Sequence, residues 1–435
     1  MRPTVRTTRT TDKGSEPALP SQSSAGFYLT KSPVWLAIFF CLQLYGWWTL
    51  ISYNHQRAVA ARSEVKAPVL GADINKYDTY FQYYPKTASW ASKPSVFHQF
   101  VKRPLYPPIF ISINWFLSKA GISYPNRMYL FLAFFASLSG LLMCLLLLKM
   151  NWSPLQAVLG SFFCISSFSW LGTFSIPESY SLTISAAILC LVSGHRFVQT
   201  QPSSYFRPYQ HAVISGVAAW LYLPLCGASF MVLSGLKDRR QWLTIAFPTV
   251  VVAVAIAIAP QLISEFGGLQ KQMRYGASYS SVGNLLSLEL WRDVTTVFFF
   301  FSFLAPVGDF LISSGRPAWS YVSSSFPTIL AISLMVTGYY LLIVRVIAGR
   351  LSRELLGVVT WSSALLLFGI VFNPKEVLLY ASLPATLLAY IVGLVLGHDR
   401  GWRIANPARR SVTAMGLAIA VVLLICLNAK SLLGW

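Results

Sequence analysis

The feature that most constrains this chain is a succession of long uncharged apolar runs, among them Pro33–Tyr53, Met128–Leu148 and Trp242–Ile263, divided by short basic connections. A helix needs about 20 such residues to cross the hydrocarbon of a bilayer. Inside that layer every backbone polar group must be satisfied within the protein, so repeated runs commit the chain to a bundle of helices. Charged residues make up 11% of the sequence, against about 25% in a soluble domain. The expected fold class is therefore all-α, a polytopic integral membrane protein of about 9 to 11 crossings with re-entrant or interfacial helices between them.

The formal net charge is +20. The basic residues fall mainly in the N-terminal tail and in connections between apolar runs. That is the pattern of cytoplasmic loops and anionic lipid headgroups, so membrane lipids are expected as partners and nucleic acid is not. The six cysteines all lie inside apolar runs, without the paired spacing of a zinc or redox site, and read as small core residues. Met1–Thr30 is polar and rich in Ser and Thr. No cleavable signal peptide is read there; residues 1–32 are expected to form a disordered cytoplasmic tail before one membrane domain, 33–435.

From a cytoplasmic N-terminus, the first run goes outward and is followed by an external loop, 54–126. Within it Leu105–Leu117 is apolar but too short to cross, and reads as an interfacial or dipping helix. Met128–Leu148 returns, Pro154–Phe174 goes out, and Tyr180–Val192 comes back. Ala212–Leu236 is interrupted by Pro224 and Gly227 and is followed at once by Lys237, Arg239 and Arg240. A re-entrant hairpin there would keep both flanking basic clusters inside. It would also make Ser264–Arg292 a second external loop and Val294–Leu311 another incomplete crossing. The competing arrangement makes both segments full spans, with Ser264–Arg292 cytoplasmic. From Pro327 onward the two readings agree: Pro327–Val344, Leu355–Val371, Leu378–Leu396 and Ala414–Leu427 alternate across the membrane.

With only fourteen acidic residues in the chain, each can be weighed. Asp238, Glu354 and Asp399 sit beside cytoplasmic basic residues and read as charge balance. Asp73 follows Val69-Leu70-Gly71-Ala72 in the external loop, where an ionised carboxylate could act as a general base toward an acceptor hydroxyl. The same residue could instead cap a short helix, Ile74–Tyr84. In such a helix Asp78 would turn away from the Asp73 face by roughly 140°, which ranks it second. His98, Lys102 and Arg103 are cations suited to a phosphate or pyrophosphate, Arg103 through paired hydrogen bonds; interfacial anchoring is the alternative. Glu178 follows Pro177 between two spans and either complements a helix N-terminus or lines a polar cavity. Lys375 and Glu376 follow Pro374 in a similar turn. Ser264–Arg292 carries Lys271, Arg274, Tyr275 and Asn284, as a substrate-closing loop would if external. No Gly-rich phosphate loop, His/Cys metal cluster or Ser-His-Asp spacing is present.

Four stretches together resemble the GT-C superfamily of polytopic glycosyltransferases that use polyprenyl-phosphate-linked sugars. They are Leu70-Gly71-Ala72-Asp73 soon after the first span, Arg103-Pro104-Leu105-Tyr106-Pro107, Pro177-Glu178-Ser179-Tyr180, and Asn373–Tyr380. The likeness is to a bacterial branch distantly related to protein mannosyltransferases and aminoarabinose transferases. Arg103 stands where many relatives have His, and the soluble C-terminal domain of many relatives has no counterpart here. The resemblance implies a GT-C-like fold in a bacterial plasma membrane. The expected activity is inverting transfer of a sugar from a polyprenyl-phosphate donor to a glycan, lipid or protein acceptor on the extracytoplasmic side, with Asp73 as general base. Asp78, His98, Lys102, Arg103, Tyr106, Glu178, Tyr180, Arg274, Lys375 and Glu376 would bind substrate. No cofactor or protein metal site is assigned, and a divalent cation held by acidic residues stays open. A transporter or lipid flippase is the other class the broken helices suit.

Overall fold

The computed structural model describes residues 33–61, 103–175, 180–199, 206–235, 239–262, 280–306, 318–347, 353–372, 381–397 and 407–433. Among these the chain is all helical, with no β-strand. Six helices are long and apolar enough to cross a membrane, or seven if a bent pair counts as one span. The protein is an all-α membrane protein.

The helices are α1 (Pro33–Ala61), α2 (Tyr106–Lys119), α3 (Asn126–Lys149), α4 (Pro154–Ile165), α5 (Phe168–Ser175), α6 (Tyr180–Gln199) and α7 (Phe206–Ala218). A long 3-10 segment, Leu223–Gly235, follows. Then come α8 (Phe247–Leu262), α9 (Leu288–Thr296), α10 (Phe326–Ile347), α11 (Arg353–Val371), α12 (Ser382–Gly397) and α13 (Pro407–Leu433). Contacts between them fix the direction of each. The start of α11 meets the last turns of α6, where His195 reaches Glu354. The end of α11 leads to Phe372, which pairs with Ser280. We call these the basic end and the Arg103 end. Trp152 bonds the carbonyl of Gly393 at the basic end, and His55 of α1 meets Tyr129 of α3 at the other. Hence α1 runs from the basic end, α3 returns to it, and the sequence order alternates as expected.

Two segments do not run end to end, and each has a physical cause. The first joins α7 to the 3-10 segment. His211 of α7 bonds the carbonyl of Ala228 at 2.8 Å, so the two limbs lie antiparallel. The turn at Trp220–Tyr222 reaches the level of Tyr180 and Phe368. The chain then runs back along α11, past Trp361, whose indole donates to the Pro224 carbonyl, to Met231 beside Gly357. A 3-10 helix is thinner than an α-helix and is seldom this long. Here Trp361 covers Gly227, and the backbone of Met231 lies against Gly357, where a Cβ would come within 2.8 Å of the Met231 Cα. This is the hairpin of the sequence reading, with both limbs ending at the basic end.

The second begins near the end of the 264–292 loop. Ser281 donates to the Val371 carbonyl at 3.0 Å and Asn284 to that of Ile370 at 3.1 Å, which places Ser280–Leu286 at the Arg103 end. The two-full-span alternative would put it at the basic end and is overturned. From there α9 and a π-helical turn, Val297–Phe301, carry the chain inward to Ser302 and Phe303. By Ala318 the chain is back beside Asp293, whose carboxylate accepts from the Ala318 N–H at 3.1 Å.

The inner end of this second hairpin meets a broken span. The expected crossing Pro154–Phe174 is two helices, α4 and α5, bent by 69° at Ser166-Ser167. The amide groups of Phe168 and Ser169 bond the carbonyls of Phe303 and Ser302. Asn428 of α13 closes the junction: its amide donates at 2.7 Å to the carbonyls of Ser166 and Phe303, and its oxygen accepts from Ala305 at 2.9 Å. Backbone groups freed by two helix breaks are thus satisfied by one side chain, as a lipid-embedded interior demands.

Candidate functional site

The sequence-predicted residues at Asp73, Asp78, His98, Lys102, Glu178, Arg274, Lys375 and Glu376 lie outside the described residues. Arg103, Tyr106 and Tyr180 are described, and the fold brings two of them into contact.

Arg103-Pro104-Leu105 leads into α2, whose N-terminal turn carries Pro107 and Pro108. Proline suits the first turn of a helix because its missing N–H would have no partner there. This leaves Arg103 outside the helix, half-buried, with its guanidinium carbon 4.2 Å from the centre of the Tyr180 ring at the start of α6. Such stacking occupies the π face of the guanidinium while its donors stay in plane, where they suit a carboxylate or phosphate. Tyr180 meets Tyr222 edge to face with ring centres 6.2 Å apart, and Tyr222 meets Phe368 in the same way. Phe368 stacks on Phe372 at 5.0 Å. The N–H of Leu105 donates to the Trp220 carbonyl at 3.4 Å. The Trp220 indole is itself anchored to the Ile256 carbonyl of α8 at 2.7 Å. The tip of the first hairpin therefore sits where the end of the first loop, the start of α6 and the end of α11 converge.

That convergence brings Arg103 of one motif stretch to Tyr180 of another, with Phe372, the residue before Asn373, close by. Glu178 precedes Tyr180 by two residues, and Lys375 and Glu376 follow Phe372 within four. Tyr106 is different. It is 2% exposed and stacks on Phe110, which packs edge-on against Phe131 of α3. It holds α2 to the bundle and presents no surface to a ligand.

A second polar cluster, at the basic end, is not singled out by the sequence alone. Glu354, read there as balancing nearby arginines, is buried at 5% exposure. One of its oxygens, Oε1, is hydrogen-bonded to His195 Nδ1 at 2.6 Å and also accepts from the Tyr390 hydroxyl. The cluster ties α6, α11 and α12 together. Its one sequence signal is weak: a glutamate immediately ahead of Leu355-Leu356, and a histidine flanked within two residues by the apolar Phe197. Among the described residues no group of three or more His, Cys, Asp or Glu could hold a metal ion.

Neither a protein-family model nor a curated protein matches this chain.

Proposed function

We propose that this protein is a membrane glycosyltransferase that moves a sugar from a polyprenyl-phosphate-linked donor to an acceptor hydroxyl of a glycan, lipid or protein. The observation that carries the reading is Arg103 held on Tyr180. It joins a cation from the Arg-Pro-Leu-Tyr-Pro stretch to the tyrosine of the Pro-Glu-Ser-Tyr stretch, at the end of the bundle reached by the first loop. In this reading Asp73 removes the proton of the acceptor hydroxyl. Arg103, with Lys102 or His98, stabilises the charge that develops on the leaving lipid phosphate, where exclusion of water strengthens the interaction. In the same reading Glu178, Arg274, Lys375 and Glu376 bind the substrates.

The N-terminal tail, with Arg2, Arg6, Arg9 and Lys13, enters α1 at the basic end. Arg239, Arg240, Arg353, Arg409 and Arg410 lie at that end too, which argues that it is cytoplasmic and that the Arg103 end faces outward. A bacterial plasma membrane fits the resemblance.

The test is transfer of sugar from a purified polyprenyl-phosphate donor mixture by the full chain in vesicles. Asp73→Asn should abolish transfer while the protein keeps its elution profile and thermal midpoint. Full activity of Asp73→Asn would remove the assignment. A second reading, a proton-coupled transporter, is favoured by the buried His195–Glu354–Tyr390 cluster, since ionisable groups inside a membrane bundle often mark proton paths. Glu354→Gln distinguishes the two. It leaves sugar transfer intact in the first reading and ends proton-driven uptake in the second.

A further inference from the structure

A cavity of about 220 Å³ lies between α3, α4, α10, α12 and α13. It runs between Phe303, beside the Asn428 junction, and Trp152, near the basic end. Ala331, Gly338, Ala389 and Ala420 leave the space that larger side chains would fill. The polar atoms of its two amphipathic lining residues are turned to the backbone. Trp152 donates to the Gly393 carbonyl at 3.2 Å, and Tyr339 donates to that of Phe299 at 2.9 Å. A water needs two to four polar partners to be held in a buried site, and these walls offer it little. The cavity also communicates with the surroundings: Leu334 of α10 and Val392 of α12 line it and are 48% and 36% exposed. The opening is therefore between α10 and α12, where Leu330, one turn from Leu334 on the same side of α10, is also outward and apolar.

We propose that this cavity binds one acyl chain of an anionic phospholipid from the leaflet at the basic end. The chain enters between α10 and α12, and its methylenes replace the missing wall contacts. Charge selects the headgroup. Lys149 closes the last turn of α3, three residues before Trp152, Arg345 lies in the last turn of α10, and Arg409 and Arg410 open α13. Cationic residues at that end attract an anionic headgroup, with a strength that falls off within a Debye length of about 8–10 Å. The site lies in a different part of the bundle from Arg103 and Tyr180 and does not depend on the glycosyltransferase reading.

Trp152 reports on occupancy because it lines the cavity yet is 8% exposed, shielded from lipid around the bundle. The full chain and its Trp152→Phe variant are reconstituted in vesicles containing phosphatidylglycerol or phosphatidylcholine brominated on the acyl chain, and the Trp152 contribution is taken as the difference in fluorescence. Quenching of Trp152 that is stronger with brominated phosphatidylglycerol than with brominated phosphatidylcholine is the expected result. Gly338→Leu, at a position where an added Cβ meets nothing within 4 Å, should fill the space and abolish that quenching; Ala420→Leu serves if the first variant fails to fold. Quenching that survives either filled and folded variant overturns the site. Equal quenching by both lipids overturns the anionic headgroup, and relief of quenching by added polyprenyl phosphate alone assigns the cavity to a prenyl chain and overturns the phospholipid.

Discussion

Removing the His195 imidazole should be among the most damaging single changes available at the basic end. Both His195 and Glu354 are nearly inaccessible, with side chains 4% and 6% exposed, and their contact is 2.6 Å. Deleting one partner of a buried polar contact leaves the other unsatisfied, which costs about 1–3 kcal/mol, and more for a charged group. His195→Ala should therefore lose about that much. Tyr390→Phe removes one hydrogen bond to the carboxylate, and side-chain hydrogen bonds inside membrane bundles measure about 0.6–1.7 kcal/mol. Glu354→Gln keeps an oxygen and a similar shape and should cost least of the three. The pair His195→Ala with Glu354→Ala tests the reasoning most directly. Once the carboxylate is gone the imidazole has no partner to satisfy, so the double variant should be little worse than His195→Ala alone. The assay is unfolding of the purified protein in mixed micelles, followed by tryptophan fluorescence. Additivity of the two substitutions within about 0.5 kcal/mol, the margin for independent sites, would refute the coupling and reduce the cluster to three separately packed residues.

Gly357→Ala should destabilise through steric overlap, because the new methyl would meet Met231 Cα at 2.8 Å and the Phe230 carbonyl oxygen at 2.9 Å; these are backbone atoms that cannot rotate away, and a loss of about 1–3 kcal/mol is expected, whereas Gly416→Ala, which meets nothing within 4 Å, should be neutral in the same unfolding assay. Asn428→Leu strands the Ser166 carbonyl and the Ala305 N–H and removes one of the two donors to the Phe303 carbonyl at the junction of α4, α5 and the second hairpin; at about 1–3 kcal/mol per buried group left unsatisfied it should sharply lower the yield of folded protein, and normal yield and stability would show that the junction is satisfied otherwise. Cysteine placed at Val282, a 73% exposed position, should be labelled by a membrane-impermeant reagent from the same side as one placed at Lys119, and protection at Val282 alone would contradict the second hairpin. Arg103→Ala should reduce sugar transfer by about 10²-fold, the usual effect of losing one charge-stabilising donor, with little change in stability, since a partly exposed cation–π contact contributes only about 0.5–1 kcal/mol.

The sequence by itself determined the class of structure. Runs such as Met128–Leu148 offer no solvated solution for their backbone except helix, so an all-α membrane bundle and most of its alternation followed from the placement of charge and hydropathy. Leu105–Leu117 was readable as a separate short helix because its length rules out a crossing and its prolines fix its start. The interruptions at Pro224 and Gly227, and at Pro306, also marked the two runs that do not cross as single helices. What they left open was a choice between two global arrangements, because a local break is compatible with a kinked span or a hairpin. Only tertiary contacts decided it: Ser281 on Val371 and His211 on Ala228 are partners far apart in sequence, and no local signal specifies them. The site shows the same division. Residue type and order singled out Arg103 and Tyr180 in separate motifs, but their stacking depends on how the end of the first loop meets α6. Tyr106 carried the same motif and was drawn into the core by Phe110 and Phe131. Glu354 looked like one more charge among arginines. Its burial against His195 and Tyr390 arises from the packing of α6, α11 and α12, because a charged group's environment is set by what surrounds it in space and not by its neighbours along the chain.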